Sequence, residues 1–73
     1  MEGNKYIVKW QVQDITGKWV YRYLGGFTFT VDYFDYEAKH YTQGCVKYPE
    51  GVAEWLCWLL ELEGKNPEME KVE

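Results

Sequence analysis

The side chains best suited to catalysis are few and do not form a recognisable motif. His40 is the single histidine, and the two cysteines, Cys45 and Cys57, do not stand at a Cys-x-x-Cys spacing. A nucleophile needs a base beside it, and no spacing predicts contact between either thiol and His40. A structural zinc site needs four ligands, usually supplied in closely spaced pairs. The sequence therefore predicts no catalytic residues, no metal site and no cofactor.

A second set of potential ligands lies between residues 32 and 40. Asp32, Asp35, Glu37 and His40 fall on several sides of any helix or strand, so a solvated acidic surface is expected. The chain has 73 residues, which leaves little room for both a core and a buried pocket of roughly 300–1,000 Å³. These observations favour a non-enzymatic protein.

Aromatic and acidic residues are the unusual feature of the composition. The chain has four Trp, seven Tyr and three Phe, and each ring can bury on the order of 150–250 Å². So short a chain cannot hide them all, and exposed rings are enriched at interfaces. Together with neighbouring carboxylates they predict a partner-binding surface. Its candidate residues are Trp19, Tyr21, Asp32, Tyr33, Asp35, Tyr36, Glu37, Glu54, Trp58 and Glu61.

The net charge of −4 limits the kinds of partner, and most of the carboxylates lie after residue 31. Direct nucleic-acid binding requires Lys and Arg for phosphate contacts, so it is not expected. A host protein with a basic, nucleic-acid-binding face fits better, with the carboxylates acting as a DNA mimic. No signal peptide and no apolar run of about 20 residues is visible. A cytoplasmic protein without membrane contact is therefore expected.

The first half of the chain predicts strands. Residues 5–13 and 18–24 alternate apolar and polar side chains, which is typical of half-buried strands. Gly17 suits the positive φ of a short hairpin loop, so the two segments are predicted to pair as an antiparallel hairpin. Gly25-Gly26 interrupts the alternation, and a further strand is predicted near 27–31.

The segment 32–42 fits a short helix or a strand, and the helix is favoured. Thr30 could cap it, and three apolar residues recur at helical spacing. They are Phe34, Ala38 and Tyr41. Residues 45–48 are predicted to be a connector or a short edge strand.

The clearest helix is predicted over 50–63. Pro49 precedes it and Gly64 suits its C-terminal stop. Trp58 and Leu62 widen its apolar arc to roughly 200°, beyond the ≳ 100° that a surface helix needs, and a homodimer contact or a partner groove could use the excess. The predicted core stripe is Val52, Trp55, Leu56, Leu59 and Leu60.

Together these elements predict an α+β fold in which a small antiparallel sheet packs against the helix 50–63. The single domain is expected to span 1–64. Residues 65–73 are charged and without periodicity, so a flexible tail is expected.

One stretch of the chain resembles a known family. The pattern Gln13-Asp14-x-x-Gly17-Lys18-x-x-Tyr21-x-Tyr23-x-x-Gly26, followed by Phe27-Thr28-Phe29-Thr30, is similar to the small dimeric phage-encoded uracil-DNA glycosylase inhibitors. The resemblance implies a phage-type inhibitor that mimics DNA, with Asp32, Tyr33 and Asp35 in the segment where that family keeps an acidic, aromatic helix. The family ends in another strand, whereas this chain carries the Trp-rich helix 50–63.

Two other functions fit the same composition. A structural or assembly subunit could use Trp58, Leu62 and exposed strand edges to form an oligomer. A small-ligand binder, for a nucleotide or a sugar, could stack its ligand on exposed rings.

Overall fold

The computed structural model describes residues 4–72. An antiparallel sheet of five strands carries a single helix among these residues, which confirms the predicted α+β fold. The elements, in chain order, are β1 (Lys5–Gln13), β2 (Trp19–Phe29), β3 (Phe34–Lys39), β4 (Tyr48–Pro49), α1 (Glu50–Leu62) and β5 (Glu68–Lys71).

The hairpin of β1 and β2 forms as predicted. Its register pairs Gln13 with Trp19 and Lys9 with Tyr23. Gly17 closes the loop with a φ of 86°, a conformation that costs glycine little. Asp14 fixes the other side of the loop, because its carboxylate accepts hydrogen bonds from the Thr16 N–H at 2.8 Å and the Thr16 hydroxyl at 2.6 Å. These bonds lower the pKa of Asp14, the hydroxyl contributing most.

The expected break at Gly25-Gly26 is wrong, because β2 continues to Phe29. Leu24 pairs with Ala38 and Phe27 pairs with Tyr36, so two glycines oppose the single residue Glu37. This is a β-bulge, which bends a strand without ending it. The glycines therefore mark a bend in one long strand.

The helix expected within 32–42 is also wrong, because residues 34–39 form β3. Thr30 does accept backbone hydrogen bonds, as a helix cap would, from the N–H groups of Asp32 at 3.3 Å and Tyr33 at 3.1 Å. The same bonds form in a tight turn, and the paired Thr30 and Tyr33 close a hairpin between β2 and β3. Phe34 and Tyr36 then alternate at strand spacing and pack against the core, whereas Ala38 is exposed.

Helix α1 forms within one residue of the predicted bounds. After it, Gly64 has a φ of 89°, its N–H bonds to the Glu61 carbonyl at 2.9 Å, and the Lys65 N–H bonds to the Leu60 carbonyl at 3.1 Å. This pair of bonds is a Schellman motif, so the predicted stop at Gly64 is confirmed.

The buried face of α1 differs in part from the predicted stripe. Leu56, Leu59 and Leu60 are buried as expected, but Ala53 is fully buried and Val52 is exposed. A small side chain lets a helix backbone approach a sheet closely, which explains Ala53 in the contact. The rest of the shared core comes from the sheet: Val8, Trp10, Leu24 and Tyr48.

The expectation of a flexible tail is wrong for residues 68–71. They form β5, which pairs with β1 in the register Lys9↔Glu68 to Tyr6↔Lys71. Lys9 pairs with Tyr23 on its other side, so β1 lies between β2 and β5. Because the pairing joins distant parts of the chain, local periodicity gave no sign of it.

Candidate functional site

The ten residues predicted to bind a partner lie on separate parts of the surface. Glu54, Trp58 and Glu61 are on α1, whereas Asp32 and Tyr33 are in the turn between β2 and β3. The remaining residues lie in the sheet, on its two faces. The strand pairings place four of them on the face away from α1: Trp19, Tyr21, Asp35 and Glu37.

Tyr36 is half-buried and packs against the core. Its ring stands edge-on to Trp10 at 5.7 Å between centroids, and its hydroxyl donates to Glu63 at 3.0 Å. The Lys65 ammonium lies 5.8 Å from the ring centroid. Burial is the main cause that raises the pKa of Tyr36. These contacts hold β3 against the end of α1.

Two large apolar side chains are exposed on the outer face of α1. Trp58 is 55% exposed and Leu62 is 66% exposed. Positions 54, 58, 61 and 62 recur at helical spacing and share one face, so Trp58 lies between Glu54 and Glu61. This surface, defined by these four residues, is called the α1 face below.

The α1 face continues onto the sheet through an aromatic cluster. The Trp55 ring stands nearly edge-on to Phe29 at 5.0 Å and to Phe27 at 5.7 Å. Phe29 is 47% exposed, so the cluster reaches solvent beside the helix. Trp55 therefore joins α1 to the exposed end of β2.

The α1 face is acidic as well as apolar. The helix contains Glu50, Glu54 and Glu61 and no Lys or Arg. The pKa of the neighbouring Cys57 is raised to about 11, mainly by burial and then by the charges of Glu61 and Glu54. A cation arriving at this surface would meet carboxylates with no basic side chain on the helix to offset them.

The opposite sheet face carries a more balanced set of charges. The Lys9 ammonium bonds to Glu70 at 2.9 Å and lies 4.6 Å from the centroid of the Tyr21 ring. The Tyr21 hydroxyl donates to Glu68 at 3.1 Å. Beside this network, Gln11, Trp19, Asn66 and Glu68 line an open cleft. Sequence reasoning missed Asn66 and Glu68, because only the pairing of β5 brings them next to β1.

The nucleophile and metal-ligand candidates do not assemble in the described chain. His40 lines an open cleft with Asp14 and Arg22, and neither cysteine lines it. Among residues 4–72, no group of three or more His, Cys, Asp and Glu side chains is placed to hold a metal ion.

No protein-family model, no curated protein sequence and no solved structure matches the chain. In the part of the chain that the structure describes, no helix has the length and hydropathy needed to cross a membrane.

Proposed function

We propose that this chain is a non-catalytic protein-binding module that holds its partner on the α1 face. The supporting observation is that Trp58 and Leu62 are exposed on a helix whose charged residues are all acidic. Exposed tryptophan is the residue type most enriched among those that dominate binding energy. Trp58 is therefore the proposed anchor, and the adjacent carboxylates select the charge of the partner.

The charge of the α1 face favours a partner with a basic surface around an apolar pocket. Glu54 and Glu61 are separated by two helical turns, roughly 10 Å along the axis. Complementary charges of this kind accelerate encounter and exclude acidic partners. Proteins that handle nucleic acid carry such basic surfaces. A host enzyme or defence protein of that class is the proposed target, and a phage-type inhibitor is the corresponding role.

Self-association through the same face is less favourable. In a symmetric dimer the same surface meets itself, which would bring Glu54 and Glu61 of both copies together without a basic residue on either helix. We therefore expect a monomer at micromolar concentration when the partner is absent. Sedimentation velocity checks this, and a dimer that Trp58→Ala dissociates would favour the assembly role instead.

The central experiment uses a photo-crosslinking amino acid at position 58 and, as the matched control, at position 19. Trp19 is also an exposed tryptophan but lies on the sheet face away from α1. In a host lysate, position 58 should crosslink a single basic protein, and position 19 should not. Crosslinking of the same proteins from both positions would overturn the proposal.

The captured protein then permits a quantitative test. Trp58→Ala should weaken binding by about 2 kcal/mol or more, whereas Trp19→Ala, on the opposite face, should not change it. Glu54→Gln with Glu61→Gln should slow association and reduce its dependence on salt. Duplex DNA should compete if the target surface normally binds nucleic acid. Binding that is insensitive to salt and to Trp58→Ala would rule out this site.

A further inference from the structure

A second site lies on the sheet face opposite α1. Gln11, Trp19, Asn66 and Glu68 line an open cleft of about 370 Å³, a size within the roughly 300–1,000 Å³ of small-molecule sites. β1, β2 and the turn into β5 supply its walls. The proposed protein interface uses none of these residues.

Trp19 gives the cleft a flat apolar wall. Its side chain is 60% exposed, although its backbone is fixed by pairing with Gln13. An indole offers a large flat surface on which a ligand can stack. A ligand with a flat apolar side would therefore gain most by lying against Trp19.

The other walls, which include Glu68 of β5, supply polar groups suited to hydroxyls. The amides of Gln11 and Asn66 each provide donors and an acceptor, and the Glu68 carboxylate accepts. The Tyr21 hydroxyl holds Glu68 by donating to it at 3.1 Å. A carboxylate has about four acceptor positions, so Glu68 retains capacity for a ligand.

The charges around the cleft favour a neutral ligand. Among the residues that the structure describes, no Lys or Arg lines it, so a phosphate group would meet Glu68 without a cation from the lining. The nearest base in the network, Lys9, bonds to Glu70 at 2.9 Å and covers the Tyr21 ring. Its positive charge also offsets part of the field that would attract a cationic ligand to Glu68.

We infer that this cleft binds a neutral pyranose sugar, with the C–H face of the ring stacked on Trp19 and the hydroxyls bonded to Gln11, Asn66 and Glu68. A pyranose combines one flat apolar side with a rim of hydroxyl groups, each both donor and acceptor. Amide and carboxylate side chains bond to such a rim without requiring ligand charge. The site is independent of the protein-binding role proposed for α1.

The test is an NMR titration of the full chain with cellobiose, maltose, lactose and chitobiose. At least one sugar should shift the side-chain amide signals of Gln11 and Asn66 and the indole N–H of Trp19, with a dissociation constant on the order of millimolar. Trp19→Ala should weaken that binding about tenfold. Gln11→Ala provides a second variant, and Tyr33→Ala, remote from the cleft, should leave binding unchanged.

Three results would overturn the inference. They are unchanged spectra with all four sugars at tens of millimolar, shifts at the cleft with AMP or choline but no sugar, and binding that Trp19→Ala and Gln11→Ala leave intact. Because the crosslinking at position 58 reports on the opposite face, failure of the sugar site would not affect the protein-binding proposal. The converse also holds.

Discussion

The Tyr48 hydroxyl donates a 2.6 Å hydrogen bond to the main-chain carbonyl of Gly25 and thereby joins β4 to the bulge of β2. Burial is the first cause that raises the pKa of Tyr48. Tyr48→Phe should lower the free energy of unfolding by about 1–2 kcal/mol, because the Gly25 carbonyl loses its buried donor. Urea unfolding measures the change. Tyr41→Phe, at an exposed ring, is the control and should not change the free energy of unfolding. Equal losses in the two variants would show that the hydrogen bond from Tyr48 to Gly25 does not stabilise the fold.

The bulge should be intolerant of a side chain at its first glycine. A Cβ at Gly25 would lie 3.0 Å from Lys39 Cε and 3.1 Å from Glu37 Cβ, whereas at Gly26 the nearest atom is Glu37 Oε1 at 4.0 Å. Gly25→Ala should therefore cost about 1 kcal/mol of stability. Gly26→Ala should be neutral or stabilise by up to about 1 kcal/mol, because it restricts the unfolded chain. Indistinguishable thermal midpoints would contradict this geometry.

Two leucines near the end of α1 should respond very differently to truncation. Leu60 is fully buried and Leu62 is exposed. Leu60→Ala should lower the free energy of unfolding by about 2–5 kcal/mol, and Leu62→Ala by less than about 0.5 kcal/mol. Chemical denaturation at low protein concentration checks both. A large loss at Leu62 would mean that another chain covers this side of the helix.

The Cys57 thiol should react slowly with alkylating reagents. Its pKa is raised from 9.0 to about 11 by burial and by Glu61 and Glu54, and only the thiolate is nucleophilic. At pH 8 the thiolate fraction is then about a hundredfold smaller than in the unfolded chain. Iodoacetamide labelling followed by mass spectrometry should show that difference between native and urea-unfolded protein. Equal rates would contradict the raised pKa.

The same thiol should make stability fall at alkaline pH. Folded Cys57 holds its proton more tightly than the unfolded chain does, so unfolding releases protons between pH 9 and about pH 11. Its contribution is complete below pH 9 and is lost as pH rises through that window. The free energy of unfolding of the Cys57→Ala variant should fall less steeply than that of the parent chain over the same pH range. Urea midpoints at several pH values measure the difference. Equal declines in the variant and the parent chain would contradict the raised pKa of Cys57.

Local patterns in the sequence predicted those elements that neighbouring residues determine. The period-two residues of β1, the positive φ at Gly17 and the stop at Gly64 act within a few positions, and each is confirmed. The helix predicted after Thr30 is wrong because the Thr30 hydroxyl accepts the same backbone hydrogen bonds in a turn as it would at the start of a helix. The strand break predicted at Gly25-Gly26 is wrong because the two glycines form a β-bulge, and a bulge can be recognised only from the pairing with the neighbouring strand.

The surface sites were less accessible to sequence reasoning. Exposure of Trp58 follows from its place outside the apolar stripe, so the candidate on α1 could be named. The grouping of Trp19 with Asn66 and Glu68 depends on the pairing of β5 with β1, which no local pattern reports. The ten residues predicted to bind a partner lie on several surfaces, because closeness in sequence does not bring side chains to the same face of the sheet.

The position of β1 also has a kinetic consequence. Lys9 is bordered by Tyr23 from the adjacent hairpin and by Glu68 from the far end of the chain. The hairpin can form early because its loop is short, whereas closing the other side of β1 must bring together distant residues. Pairings of high sequence separation slow folding. The hairpin should therefore acquire protection from hydrogen exchange before β5 docks and completes the sheet.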